Sequence, residues 1–210
     1  MASLSEQAYG KLKDMVIEAS PGTFFSVRKC AEELNLSYTP TREALLRLHS
    51  EGLLNLVPKV GFFTAQMDLR DITDIHQSRE CIERYVLPMV LPHLRQEDKD
   101  ILYRLLEEQE RALETGDSTL SSEKDVEFHC YLIDLLNNKR ISDFYRSIRS
   151  QYRAGANNLV KEHTMIPLEE HKKIMRLIEE GRYEEAVRVM EEHGRNAIQR
   201  MREGFVRIGY

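Results

Sequence analysis

The chain has 210 residues, 41% of them hydrophobic and 31% charged, with a net charge of −5, so it can bury a sizeable core and make one domain or two. No run of eighteen apolar residues is present, which excludes a membrane-spanning helix. The acidic balance excludes coating of nucleic acid by bulk electrostatics, although a local basic surface stays possible. Cys30, Cys81 and Cys130 are scattered and form no CxxC, so neither a disulfide framework nor a thiolate zinc site is indicated, and all three read as buried small hydrophobes. The start, MASLSEQAYGKLK, lacks the apolar middle of a signal peptide, and the expected location is cytoplasmic.

The first 66 residues predict a helix over Ser3–Ile17, then SPGTFF, a second helix near Val27–Leu34, the short link NLS and a third helix from about Thr39 to Ser50. After EGLL, the run LNLVPKVGFFTAQM holds two short β-like stretches around Pro58–Gly61. Helix, helix, tight turn, helix and hairpin is the order of a winged helix-turn-helix. A boundary near Met67–Arg70 separates this domain, residues 1–66, from a second over 70–210.

Beyond that boundary the apolar residues keep helical period almost without interruption. Six helices are expected, roughly 70–93, 98–115, 121–136, 139–161, 168–180 and 183–207, broken by TGDS at 115–118, MIP at 165–167 and EGR at 180–182. The fold class that follows is mainly α, a winged helix-turn-helix joined to an all-α antiparallel bundle.

Polar residues occupy core-facing positions of that bundle. Asp125, His129, Leu132 and Leu136 are spaced by four, three and four, so both polar groups share the inward stripe. His171 lies between Leu168 and Met175, His193 between Met190 and Ala197, and Arg79 in line with Ile75, Ile82 and Val86. One buried histidine is ordinarily a hydrogen-bonded core residue; several together must satisfy one another or a metal, because unpartnered buried polar groups are costly. His171 and His193 are 22 residues apart about Arg182, in the expected EGR turn. Each is about ten residues from the turn, roughly 15 Å along its helix, so an antiparallel hairpin brings both to one level. Three imidazoles and a carboxylate suit Zn²⁺, Ni²⁺ or another divalent transition metal. Asp125, close to the expected helix start, can alternatively cap free N–H groups.

The stretch CAEELNLSYTPTREALLRLHSEGLLNLVPKVGFF resembles the DNA-binding domain of the GntR family of bacterial transcription regulators, whose pattern runs LAxxLxVSRTPVREALxxLxxEGLV and then a wing with xxGxxV. The resemblance implies DNA contacts by Arg28, Ser37, Thr39, Arg42 and the wing residue Gly61. The residue types suit DNA contact, because short hydroxyls at a helix start can hold a phosphate, and an arginine one turn in can reach a base edge. Arg42 can alternatively pair with Glu43 or Glu32. Tyr38 stands where the family has arginine, the wing offers only Lys59, and residues 1–66 balance seven Lys+Arg against seven Asp+Glu. Affinity is therefore expected to rest on few phosphate contacts and on a homodimer.

DVEFHCYLIDLLNN and EEHKKIMRLIEEGRYEEAVRVMEEH resemble two segments of the helical effector domain called FCD, found in the FadR branch of the same family. That resemblance implies metal ligands at Asp125, His129, His171 and His193, with Arg79 facing a cavity for a small carboxylate effector. Arg79 can instead pair with Asp125 or Glu83. Arg149 and Arg153, on the 139–161 helix, can line the same cavity or a solvated face, and His49, His76, His93 and His163 have no assigned role.

The function expected is a transcription regulator whose affinity for double-stranded operator DNA is controlled by a small organic acid at the metal site. Alternatives are a regulator that senses the ion itself, and a metalloenzyme with an appended DNA-binding domain. Against the enzyme, the sequence has no HExxH and no adjacent His-Asp pair, and Leu168 and Met190 stand three residues before His171 and His193, where a di-iron bundle needs Glu.

Overall fold

The computed structural model describes residues 4–159 and 165–208, with side chains for 4–154 and 165–203. Ser3, residues 160 and 161 of the expected fourth bundle helix, and His163 lie outside the described residues. Two compact units form, Met1–Asp68 with Ser150–Asn158, and Leu69–Arg149 with Leu159–Tyr210.

In the first unit, α1 (Leu4–Glu18), α2 (Val27–Leu34) and α3 (Tyr38–Ser50) surround a core of Ala8, Leu12, Val16, Cys30, Ala44, Leu45 and Leu48, closed by Leu54 and Phe62 from the sheet. The tight turn after α2 depends on Asn35, which adopts the left-handed conformation at φ 52° while its N–H and that of Leu36 bond back to Glu32 and Ala31. The strands are β1 (Phe24–Phe25), β2 (Leu54–Val57) and β3 (Gly61–Thr64), antiparallel in the order β1-β3-β2. Val57 pairs with Gly61, leaving Pro58, Lys59 and Val60 as the tip of the wing. The sequence predicts no strand in SPGTFF, because a two-residue strand has no alternation to detect; Phe24 and Phe25 become strand β1 only by pairing with Phe63 and Phe62.

The second unit contains α4 (Leu69–Val90), a 3-10 turn at Leu91–His93, α5 (Gln96–Glu114), α6 (Ser118–Asp134), α7 (Lys139–Leu159), α8 (Ile166–Glu179) and α9 (Tyr183–Ile208). Its core unites Val86, Leu87, Leu102, Leu106, Phe128, Leu132, Tyr145, Leu168, Met175 and Met190. Helix α5 packs on α6, α8 on α9, and α4 on both α6 and α9. The α8–α9 turn is tight: Gly181 takes φ 72°, and the N–H groups of Gly181 and Arg182 bond back to Ile178 and Leu177.

Two expectations need correction. Helix α6 starts at Ser118 rather than at 121, because the Asp117 carboxylate accepts from the Leu120 N–H at 2.9 Å and holds the first turn. Asp125 is thus two turns inside the helix and is not its cap. Cys30 and Cys130 are buried as expected, but Cys81 is exposed on α4.

The start of α5 is pinned by Asp98, buried, whose carboxylate accepts from the Arg95 N–H at 2.9 Å, from the Arg95 guanidinium and from the Tyr131 hydroxyl. The Arg95 bond, against a smaller opposing effect of burial, draws the Asp98 carboxyl down to about 2. A depressed folded pKa means stabilisation that is full above the ordinary carboxylate range and lost as pH falls through about 2. Asp98→Ala is expected to lower stability by about 1 kcal/mol in denaturant titrations near neutral pH. The deficit should shrink as the pH of the titration is lowered from about 4 to about 2.

Candidate metal centre and nucleic-acid interface

Helices α6, α8 and α9 bring Asp125, His129, His171 and His193 together, with one ligand atom of each within 4.8 Å of all the others. His129, His171 and His193 are 1%, 0% and 3% exposed, whereas Asp125 keeps 20% of its side chain in solvent. His171 Nε2 stands 3.1 Å from His129 Nε2 and 3.3 Å from His193 Nε2. The His171 ring stacks on Phe128, with centroids 4.6 Å apart, and its Nδ1 is buried with no hydrogen-bond partner among the described residues.

The donor set fits a transition-metal ion. Nitrogens about 2.1 Å from one metal lie about 3.0 Å apart at octahedral and about 3.4 Å apart at tetrahedral angles, the range of the two short contacts. In neutral imidazoles so placed, one Nε2–H can be directed at one neighbouring lone pair, and the other of the two contacts is left unrelieved. A cation meets all the lone pairs at once. Burial, and then the nearby positive charge of Arg149 and Arg79, holds His129 well below the ordinary histidine range. Burial followed by His193 lowers His171 to about 3, against the raising effect of Asp125. Both rings are therefore unprotonated at neutral pH, the state a ligand needs.

Buried ion pairs flank the three rings. Arg149, on α7 and 1% exposed, donates from Nη2 to Asp125 Oδ2, while Asp125 Oδ1 is 3.9 Å from His171 Nε2. Burial pushes the Asp125 carboxyl up, but Arg149 and then the neighbouring histidines outweigh it and keep it below the usual carboxylate range. Arg79 donates from Nε and Nη2 to Glu83 Oε1 at 3.3 and 3.2 Å, and the Tyr145 hydroxyl donates to the same oxygen. Glu83 Oε1 is also 3.7 Å from His129 Nδ1. Of the two carboxylates within expectation for Arg79, the structure pairs it with Glu83. Arg149 is fully inside the bundle, and Arg153 is half-buried.

The helix-turn-helix residues have the opposite character. Arg28 on α2, and Ser37, Thr39 and Arg42 at the start of α3, are exposed, and among the described residues neither arginine has a carboxylate within ion-pair distance, Glu43 and Glu32 included. Ser37 occupies the N-cap position of α3 but makes no side-chain cap bond, which leaves its hydroxyl to other partners. Tyr38 is 51% exposed beside them. Gly61 has an internal reason to be glycine: at φ 150° a Cβ would lie 2.5 Å from the Phe24 ring.

Residues 4–64 match the bacterial regulatory proteins of the gntR family, and residues 74–196 match the FCD domain. The chain belongs to the GntR family. Its FCD domain is the one carried by FadR-like members, and its small three-stranded sheet is the family's wing. Among sequence relatives, the HTH-type transcriptional regulator YdhC of Bacillus subtilis is 27% identical over 68% of this chain and 65% of its own. The HTH-type transcriptional regulator McbR of Escherichia coli is 34% identical over 46% of this chain and 44% of its own. The Nta operon transcriptional regulator of Aminobacter aminovorans is 29% identical over 63% of each. The chain thus spans less than two thirds of the length of these relatives. The solved structure of E. coli McbR/YncC superposes with a TM-score of 0.88 at 22% identity, covering 98% of this chain and 100% of that one, a likeness of fold. The matched domains and relatives are those of transcription regulators, not enzymes.

For this GntR-family chain, Tyr145 and Glu170 near the FCD site are not reached from sequence, and His76, with no assigned role, is buried on α4. Tyr145 was within reach, since it follows Ile141 and precedes Ile148 at helical spacing. Glu170 left no periodic signal, because its place beside His193 arises from α8 packing on α9. The Gly61 geometry yields a prediction that needs no DNA: Gly61→Ala should lower stability by about 1–3 kcal/mol through backbone strain and collision with Phe24, measured by chemical denaturation.

Proposed function

We propose that this DNA-binding regulator acts in the cytoplasm as a homodimer on a palindromic operator, and that a small organic acid controls its operator affinity. The acid docks at a divalent transition-metal ion, Zn²⁺ or Ni²⁺, held by Asp125, His129, His171 and His193. In this reading residues 1–66 bind DNA and residues 70–210 bind metal and effector and dimerise. The observation that carries it is the buried convergence of three imidazole nitrogens, at 3.1 and 3.3 Å, beside a carboxylate. Bound there, the ion supplies a Lewis-acidic centre that a carboxylate can share.

The protein's own residues do the rest. Arg79 and Arg149, each 2% exposed or less, put two fixed positive charges beside the rings. Each already holds a carboxylate, Glu83 or Asp125, so an incoming organic acid competes for a guanidinium rather than entering a neutral cavity. An acid that binds one arrangement of the dimer more tightly shifts the population, and operator affinity changes by the same coupling free energy. On the DNA side, Ser37 and Thr39 offer hydroxyls at a helix N-terminus, Arg28 and Arg42 carry charge with no carboxylate partner among the described residues, and Gly61 adds no side chain next to the wing tip.

The pairing of Asp125 with Arg149 favours a second reading, in which the ion itself is the signal. An ion that draws Asp125 competes with Arg149, so metal binding alone changes the charge balance on α7. The two readings part on one measurement: operator affinity that tracks metal concentration without any organic acid supports ion sensing, and affinity that responds to a carboxylate at saturating metal supports the first.

Zn²⁺ at about 100 times its dissociation constant should add about 2.7 kcal/mol of stability, seen as a rise in melting temperature. His171→Ala, which removes the donor common to both short contacts, should abolish that rise; a wild-type protein that takes up no Zn²⁺ or Ni²⁺ would sink the metal reading. On its own promoter region the protein should bind with sequence selectivity and a steep salt dependence. Arg42→Ala should cost about 1–3 kcal/mol there if the arginine reads a base, or reduce the log–log salt slope by about 1 if it meets a phosphate.

A further inference from the structure

The three histidines have unequal surroundings on the side away from their shared centre. His129 Nδ1 has Glu83 Oε1 at 3.7 Å, too long for a hydrogen bond, and His171 Nδ1 has no partner among the described residues. His193 differs from both: its Nδ1 lies 2.8 Å from Glu170 Oε2, within full hydrogen-bond distance of a carboxylate. That carboxylate is itself held. Asn196 Nδ2 donates to Glu170 Oε1 at 2.7 Å, and Arg200 Nη2 stands 3.5 Å from Oε2. His193, Asn196 and Arg200 follow one another at spacings of three and four on α9, so one stripe of α9 closes on a single carboxylate of α8.

We infer that Glu170 is the positioning residue of the centre: by accepting the Nδ1–H of His193 it fixes that ring's tautomer and turns an Nε2 lone pair toward His171 and Asp125. The inference rests on the metal-site reading and deepens it. A neutral imidazole has one N–H, and when the proton is committed to Nδ1 the other nitrogen must be an acceptor, which is the form a metal requires. Without Glu170 the proton can move to Nε2, where it points into the centre and opposes a cation. A carboxylate behind a ligating histidine also raises the ring's basicity. Glu170 is thereby set apart from its neighbour Glu169, whose side chain is 57% exposed and pairs with Lys172 at 3.3 Å, away from the rings.

The test uses the full-length protein, with Zn²⁺ as the probe and a chelating dye as competitor. Wild type is scored first. Relative to it, Glu170→Ala is expected to lose 10–100-fold in Zn²⁺ affinity, Glu170→Gln a smaller factor because the amide oxygen still accepts the bond, and Glu169→Gln nothing. In the metal-free proteins, long-range ¹H–¹⁵N spectra should show His193 as the Nδ1–H tautomer in wild type and as a mixture in Glu170→Ala. Unchanged Zn²⁺ affinity in Glu170→Ala, or lost affinity with the His193 tautomer unaltered, overturns the inference while leaving the metal site standing. Failure of wild type to bind Zn²⁺ overturns the metal reading and this inference with it. Should Glu170→Ala fail to fold, Glu170→Gln and Asn196→Ala carry the same comparison, since Asn196 holds the far oxygen of the carboxylate.

Discussion

Three imidazole nitrogens directed at one another inside a helical bundle constrain the second unit more than any other contact. Lone pairs in a dry interior repel, and each ring carries one N–H with which to relieve it, so the cluster demands compensation from its surroundings. The compensation is visible in the arrangement around it: Phe128 stacks on His171, Glu170 takes the outer nitrogen of His193, and two arginine–carboxylate pairs bracket the group. A bundle built only for stability would fill these positions with aliphatic side chains, since a buried ion pair is on balance no more stabilising than well-packed hydrophobes. Keeping them polar on five helices points to ligand chemistry.

The charge balance of the site follows from the same constraint. Asp125 and Glu83 bring two negative charges, Arg149 and Arg79 two positive ones, and His129 and His171 are neutral, so these six groups are together close to balanced. On the proposed function, a divalent cation would tip that balance positive and an anionic effector would tip it back. That alternation would give a physical reason for a metal and an organic acid to bind together, and for guanidiniums to be shared between protein carboxylates and an incoming one.

The winged unit places its charge differently. Its Lys+Arg and Asp+Glu balance over residues 1–66, and a small part of that charge is paired internally: Arg47 bonds Glu6 and Glu51 while stacking 3.7 Å over the Tyr9 ring. Arg28 and Arg42, exposed at the helix-turn-helix, are two of the cations that have no carboxylate within ion-pair distance among the described residues. Such a balanced surface attracts DNA weakly without the right sequence, so discrimination must come from placement of a few groups.

The sequence by itself determined the element order, because periodicity, caps and breakers are local. Helix α2 begins and ends where it was expected, and α3, α8 and α9 start or stop within two residues. It also determined which polar residues turn inward, since His129, His171 and His193 lie on apolar stripes whose spacing any helix must respect. The level of His171 and His193 was legible for the same reason: equal arm lengths about a tight turn leave little choice. Tertiary structure alone decided who partners whom. Glu83 rather than Asp125 took Arg79, Arg149 took Asp125, Glu170 found His193, and Phe24 closed over Gly61. These pairings depend on the rotation and offset of one helix or strand against another, fixed by packing of the whole core, and no spacing within a single segment carries that information.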